Sequence, residues 1–227
     1  MPWESRMTDP IARILTNYPK AFFQSLMEQM DAAFAKALRV TRRDYAEPER
    51  ANMLGQARHA CCEEGFRTAA EGAGMTAVAL HTKPAGGRYS LVSHEGVHLI
   101  RGNVQVHCGP PRPTRFRREQ AALNEWLDPC QLDLLRTEPR PSSEQLCGMI
   151  VVTAYRQNGD ASIPAFVGLG IPRSDLAEWV VLEPIQKLLA RYHDVETKTH
   201  TPPEASVDVK DRAVPRLKKT LPGDPTA

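Results

Sequence analysis

Tyr89-Ser-Leu-Val-Ser-His94-Glu95-Gly96-Val97-His98-Leu-Ile-Arg101 is the stretch whose local conformation decides the fold. Two histidines stand four positions apart with a glutamate beside the first, which on a helix would bring both imidazoles to one face. The flanks argue otherwise: Tyr89 to Ser93 and Val97 to Arg101 are rich in Val, Leu and Ile and read as strands. Gly96 falls where a tight hairpin wants a residue tolerant of positive φ. The stretch therefore reads as two antiparallel strands reversing near Gly96, across His94-Glu-Gly96.

Outward from this hairpin the period of two continues. Thr76 to His81, Arg88 to Ser93, Val97 to Arg101 and Val104 to His107 are short β-prone segments punctuated by Pro84-Ala-Gly-Gly87, His94-Glu-Gly96 and Gly102-Asn103, which predicts a four-stranded meander. Cys108-Gly-Pro-Pro-Arg-Pro113 follows, and its prolines exclude both helix and central strand, so the chain crosses over there. Thr114 suits an N-cap for a helix over 115–127, in which Phe116, Leu123, Trp126 and Leu127 share a face and Asp128-Pro129 ends it. The runs Leu146 to Tyr155 and Ile163 to Ile171 flank Gln157-Asn-Gly-Asp160, where Asn-Gly supplies the positive φ angles of a type I′ hairpin turn. From Ser174 or Asp175, a closing helical region carrying Leu176, Trp179, Ile185, Leu188, Leu189 and Tyr192 is expected, divided at Pro184.

On the amino-terminal side the period is helical. Phe23, Leu26, Met27, Met30, Ala33, Phe34, Ala37 and Leu38 recur at three and four, predicting an amphipathic helix from Pro19 to about Val40. A second helix begins at Pro48 and runs through Leu54, Ala57, Cys61 and Phe66 to Gly72 and Gly74, and the two are expected to pack as a helical hairpin. The order is helix, helix, meander, helix, hairpin, helix. It predicts an α+β fold, with an antiparallel sheet of about five or six strands covered by helices. Residues 1–17 are expected to be a flexible segment, 18–193 one domain, and 194–227 a disordered Pro-rich, mixed-charge tail.

The 227 residues, 41% hydrophobic and 25% charged, suffice for one domain with a substantial core. A formal net charge of +2 makes no global electrostatic case for nucleic acid or an anionic membrane surface. No run approaches the roughly 20 apolar residues of a membrane span, and Met1 to Pro10 lacks the apolar region of a secretory signal, so the expectation is a cytoplasmic protein with no membrane contact. Cys61, Cys62, Cys108, Cys130 and Cys147 are odd in number and irregular in spacing, as reduced thiols are.

His94, Glu95 and His98 spell H-E-x-x-H, and in these residues the chain resembles the glutamate-zincins. The resemblance implies a zinc ion held by His94 and His98, Glu95 as general base, and a third ligand from Glu119 or Glu125 on the next predicted helix. Across a hairpin turn the two histidines can also face each other, but Glu95 then points to solvent. Val92-Ser93 stands where that family carries bulky apolar residues, and Gly96 weakens a helix by about 1 kcal/mol relative to alanine. A non-catalytic zinc site from His94, His98, His107 and Cys108 is the other metal reading, although its spacing matches no common pattern.

The second cluster is Arg112, Arg115, Arg117 and Arg118 with Phe116 among them; no acid intervenes between Arg101 and Glu119. Arginine forks suit phosphate, and an adjacent aromatic ring suits a base. The bland alternative is a solvated surface, since cations in a first helical turn oppose the macrodipole only modestly. Other catalytic signatures are missing: no G-x-S-x-G elbow, no phosphate-binding G-x-x-x-x-G-K-[ST], no G-x-G-x-x-G after a strand and no C-x-x-C. The expectation is a non-catalytic binding or regulatory protein that engages a protein or nucleic acid through the basic crossover. A zinc-dependent hydrolase is the rival.

Overall fold

The computed structural model describes residues 9–82, 87–104, 109–128, 145–155 and 159–199. Within them the chain is an α+β fold. Three helices come first: α1 (Pro10–Asn17), α2 (Lys20–Asp44) and α3 (Glu49–Gly72). Strands β1 (Ala77–His81), β2 (Arg88–His94) and β3 (Val97–Asn103) follow, then α4 (Arg115–Ala121) continuing into a 3-10 segment (Ala122–Leu127). Strands β4 (Leu146–Thr153), β5 (Phe166–Pro172) and β6 (Trp179–Pro184) and helix α5 (Ile185–Thr199) complete it.

The six strands form one open sheet in the order β1-β2-β3-β4-β5-β6. Every neighbouring pair is antiparallel except β3 and β4, which run parallel with Val97 opposite Leu146 and Asn103 opposite Val152. The first three strands of the expected meander and the later antiparallel pair β4–β5 are thus as expected, but the seam between them is not antiparallel. A parallel neighbour requires a long crossover, and the stretch carrying α4 supplies it.

Strand parity divides the sheet into two faces. Val92, Val97, Leu99, Leu146, Ile150, Val152, Val167, Leu169 and Ile171 share one face and pack in a single core with Ile11 and Ile14 of α1, Phe22, Phe23, Leu26 and Met30 of α2, Phe66 of α3 and Ile185 and Leu188 of α5. Ile100, Cys147, Met149 and Val151 point to the opposite face, where Phe116 and Leu123 cover them. β4, buried along its whole length, lies between two layers, as its nearly all-apolar sequence requires.

Several expectations need correction. Residues 10–17, expected within a flexible segment, form helix α1: Asp9 caps it through a 2.9 Å bond from the Ile11 amide, Pro10 occupies the first turn, and Ile11 and Ile14 are buried. The Asp-Pro start signal was legible, but two turns are too short for apolar periodicity to show. The region after Ser174 opens as strand β6, not helix; Trp179-Val-Val-Leu is β-prone, and the Trp179 ring lies where a Cβ on Gly170 of β5 would fall. Residues 115–127 are helical throughout but tighten to 3-10 after Ala121. The predicted strand at 104–107 loses Val104, which is outside β3, while 105–107 lie outside the described residues. Helix α5 runs to Thr199, past the expected start of the tail; residues 200–227 and the Asn158 turn position are outside the described residues.

A basic cleft as the candidate functional site

Glu95 (φ 46) and Gly96 (φ 73) both adopt positive φ, forming a two-residue turn with His94 opposite Val97 and Ser93 opposite His98. Directly opposed residues share a face and successive ones alternate, so His94 lies with buried Val97 on the helix-covered side and His98 lies on the other. The two imidazoles are therefore separated by the sheet rather than facing each other, correcting the expectation that a hairpin could keep the pair together. His94 sits with its ring centroid 6.3 Å from that of Tyr18, and His98 Nδ1 is 3.4 Å from Ser93 Oγ. Glu95 is exposed at the turn, Glu119 is paired with Arg115, and Glu125 lies in the 3-10 segment. Among the described residues no three His, Cys, Asp or Glu side chains are grouped so as to hold a metal ion, and His107 and Cys108 lie outside them. The H-E-x-x-H geometry of a zincin is not formed.

The arginine cluster has a different outcome. At the end of the sheet where β3 runs past its last register pair with β2, a cleft of about 700 Å³ opens between α3, the β1–β2 pair and α4. Arg88, Arg101, Arg115 and Arg117 line it against two carboxylates, Glu63 and Glu119, with His59, His81, Tyr89 and Phe116. Of the expected residues, Arg115, Phe116 and Arg117 thus converge on one cavity. Exposed Arg112 contributes a backbone carbonyl that accepts a 2.9 Å bond from Arg117 Nη1. Arg118 is exposed and does not line the cleft.

Asn124 determines where α4 sits. Fully buried on the 3-10 segment, it donates to the carbonyls of Cys147 (2.9 Å) and Pro172 (2.8 Å) and accepts from the Cys147 amide (2.8 Å). These three bonds tie the end of the helical segment to β4 and β5. Thr114 Oγ1 caps the other end by accepting from the Arg117 amide. With both ends fixed, Phe116 packs on the smaller core and stacks on Tyr89 of β2, centroids 3.2 Å apart and planes 25° apart. Tyr89 is then the outer ring of the pair.

The floor of the cleft is a buried ionic network that the sequence reading did not identify. Arg101, 4% exposed, projects from β3 toward α3 and donates through Nε to Glu63 Oε1 at 2.9 Å. Its other nitrogens reach Asn103 Oδ1 and His59 Nδ1, the latter at 2.6 Å. Glu63 Oε2 accepts from the Ser90 amide at 2.7 Å, and Ser90 Oγ accepts from Arg67 at 2.8 Å. Because Arg101 can only donate, His59 Nδ1 must accept, which leaves the ring neutral with its proton on Nε2. Burial and then the Arg101 charge hold the His59 pKa below its usual 6.5, in agreement with that tautomer. One signal was available: Arg101 continues the apolar row Val97, Leu99 on a buried strand face, where a charge demands a partner.

Arg117 stands differently. Its guanidinium approaches Gly102 of β3, where an added Cβ would lie 3.6 Å from Nη2 and only 2.5 Å from Met149 Sδ. Burial foremost, then the Arg101 and Arg112 charges, lower its pKa, with Glu63 opposing. Arginine nonetheless stays protonated. No carboxylate lies within ion-pair distance of Arg117 or Arg88 among the described residues, whereas Arg101 has Glu63, and Arg115 has Glu119 in an exposed 2.9 Å pair. Among the described residues the cleft therefore holds a half-buried guanidinium with no carboxylate in ion-pair distance, beside an aromatic ring.

No family model, curated protein or solved structure matches this chain.

Proposed function

We propose that this chain is a non-catalytic intracellular binding protein whose working surface is the cleft between α3, β1–β2 and α4, and that its ligand carries phosphate. The observation that carries this reading is Arg117: a half-buried guanidinium, flanked by like charges, lining a cavity in which no carboxylate among the described residues lies within ion-pair distance of it. A buried charge without compensation is costly, and an incoming oxyanion removes that cost while matching the planar fork. Cys61, Cys62 and Cys147 are free thiols, which suits a reducing compartment. No helix among the described residues is long and apolar enough to cross a membrane.

Titration of a labelled, 5′-phosphorylated single-stranded oligonucleotide at low and high salt tests the proposal. The wild type binds and weakens as salt rises, because phosphate contacts release counterions. Arg117→Met weakens binding at least about tenfold, equivalent to about 1.4 kcal/mol. Absence of binding at low salt, or an Arg117→Met protein with wild-type affinity, overturns it.

A further inference from the structure

We infer that the cleft accepts a single nucleoside phosphate, either free or as the terminal nucleotide of a strand, with the base on Tyr89 and the phosphate between Arg117 and Arg88. The inference rests on the phosphate reading above and adds the remainder of the ligand. A cavity of about 700 Å³ lies within the span of small-ligand pockets, roughly 300–1,000 Å³, and is too small for a duplex groove. Proteins that hold the interior of a single strand offer a succession of aromatic platforms along a basic track. Apart from its two histidines, this cleft has one aromatic platform, the Tyr89–Phe116 stack, with one face of Phe116 turned to Tyr89 and the ring packed on the core. One ring site in the same cavity as two guanidinium groups that have no carboxylate partner among the described residues matches the size of one nucleotide.

The same geometry sets the selectivity. Most groups that could read a base edge are already engaged: Glu63 bonds Arg101 and the Ser90 amide, His59 accepts from Arg101, and Glu119 pairs with Arg115, which leaves the exposed His81 imidazole at the rim. Stacking on Tyr89 tolerates any base, since every base has a π face. The site therefore discriminates a nucleotide from a sugar phosphate, but not strongly one base from another.

Calorimetric titration with AMP, CMP, ribose 5-phosphate, a 5′-phosphorylated oligonucleotide and a circular single-stranded DNA tests this. Expected is AMP at least about tenfold tighter than ribose 5-phosphate, CMP within a few fold of AMP, and circular DNA weaker than either. In Tyr89→Leu the AMP advantage shrinks to about twofold while ribose 5-phosphate is unchanged; the comparison of ligands on the wild type stands even if this variant does not fold. An oligonucleotide binding much more tightly than AMP identifies a strand end as the source, and the reverse identifies a free nucleotide. Equal affinity for AMP and ribose 5-phosphate, or circular DNA as the tightest ligand, overturns the inference and leaves the phosphate reading standing. Failure of every phosphate ligand overturns both.

Discussion

Replacing Glu63 with methionine separates what the buried network does for the fold from what the cleft does for a ligand. The substitution keeps the volume but leaves Arg101 charged and the Ser90 amide unpaired at a site where both side chains are nearly inaccessible. Breaking such a pair from one side costs about 3–5 kcal/mol, a large share of the roughly 5–15 kcal/mol that holds a domain together. At about 2–4 °C per kcal/mol for a domain of this size, the melting temperature falls by roughly 6–20 °C. Arg101→Met, which strands the carboxylate instead, is expected to cost a similar amount. The double variant has no unpaired charge and retains only the orphaned Ser90 amide, worth about 1–3 kcal/mol, so it is more stable than either single variant. Urea unfolding followed by circular dichroism, with equal slopes across the series, measures the cycle. If the double variant loses the sum of the two single losses, the pair is not coupled and the network described above is wrong. The double change also removes one charge of each sign, so the cleft keeps its net charge, and phosphate ligands are expected to bind the folded double variant within a few fold of wild type.

Other outcomes follow from the same geometry. His59 is held neutral, with a pKa depressed below 6.5, so the unfolded chain takes up protons that the folded one resists; stability is complete above pH 6.5 and declines as pH falls below it, and His59→Gln flattens that decline in melting curves from pH 8 to 5. His98, also depressed by burial, contributes in the same direction, so the slope is reduced and not abolished. Asn124→Ala strands the Cys147 amide and two carbonyls in the interior; a loss of about 2–4 kcal/mol is expected, with weakened ligand binding in the folded fraction because α4 is no longer anchored. Glu95→Asn places a residue that favours positive φ at the β2–β3 turn. It is expected to raise stability by about 0.5 kcal/mol and leave ligand affinity unchanged, as measured by denaturation and titration; a destabilised protein would contradict the turn assignment.

The fold was largely legible because its signals were local. Period-two segments and the reversal signalled by Gly96 identified the hairpin, and the three-and-four spacing of Phe23 to Leu38 identified α2. What escaped depended on tertiary partners. β6 was read as helix because Trp179 to Leu182 was joined to the periodic residues of α5, and only docking against the glycine-containing β5 makes it a strand. The parallel seam has no local signature, since pairing of Val97 with Leu146 is a property of the crossover rather than of either strand. For the site, the arginines and Phe116 were visible as a cluster, but Glu63, His59, Arg88 and Tyr89 come from α3 and β2, and no sequence spacing brings them to α4. The histidine pair illustrates the converse: adjacency in the chain suggested a shared ion, and strand alternation put a sheet between them.

The single parallel line of contact has a kinetic consequence. Strands β1–β3 and β4–β6 can each wind up through short connections, but joining them requires Val97 to find Leu146 across the whole intervening stretch, and the loop-closure entropy falls on that step. Two half-sheets are then expected to assemble early and to dock late. Since the cleft takes Arg101 from the first half and α4 is anchored through Asn124 to the second, neither half alone can complete it. In stopped-flow refolding, competence to bind a phosphate ligand should lag behind the far-ultraviolet signal of the strands, making the ligand a clock for the moment the two halves join.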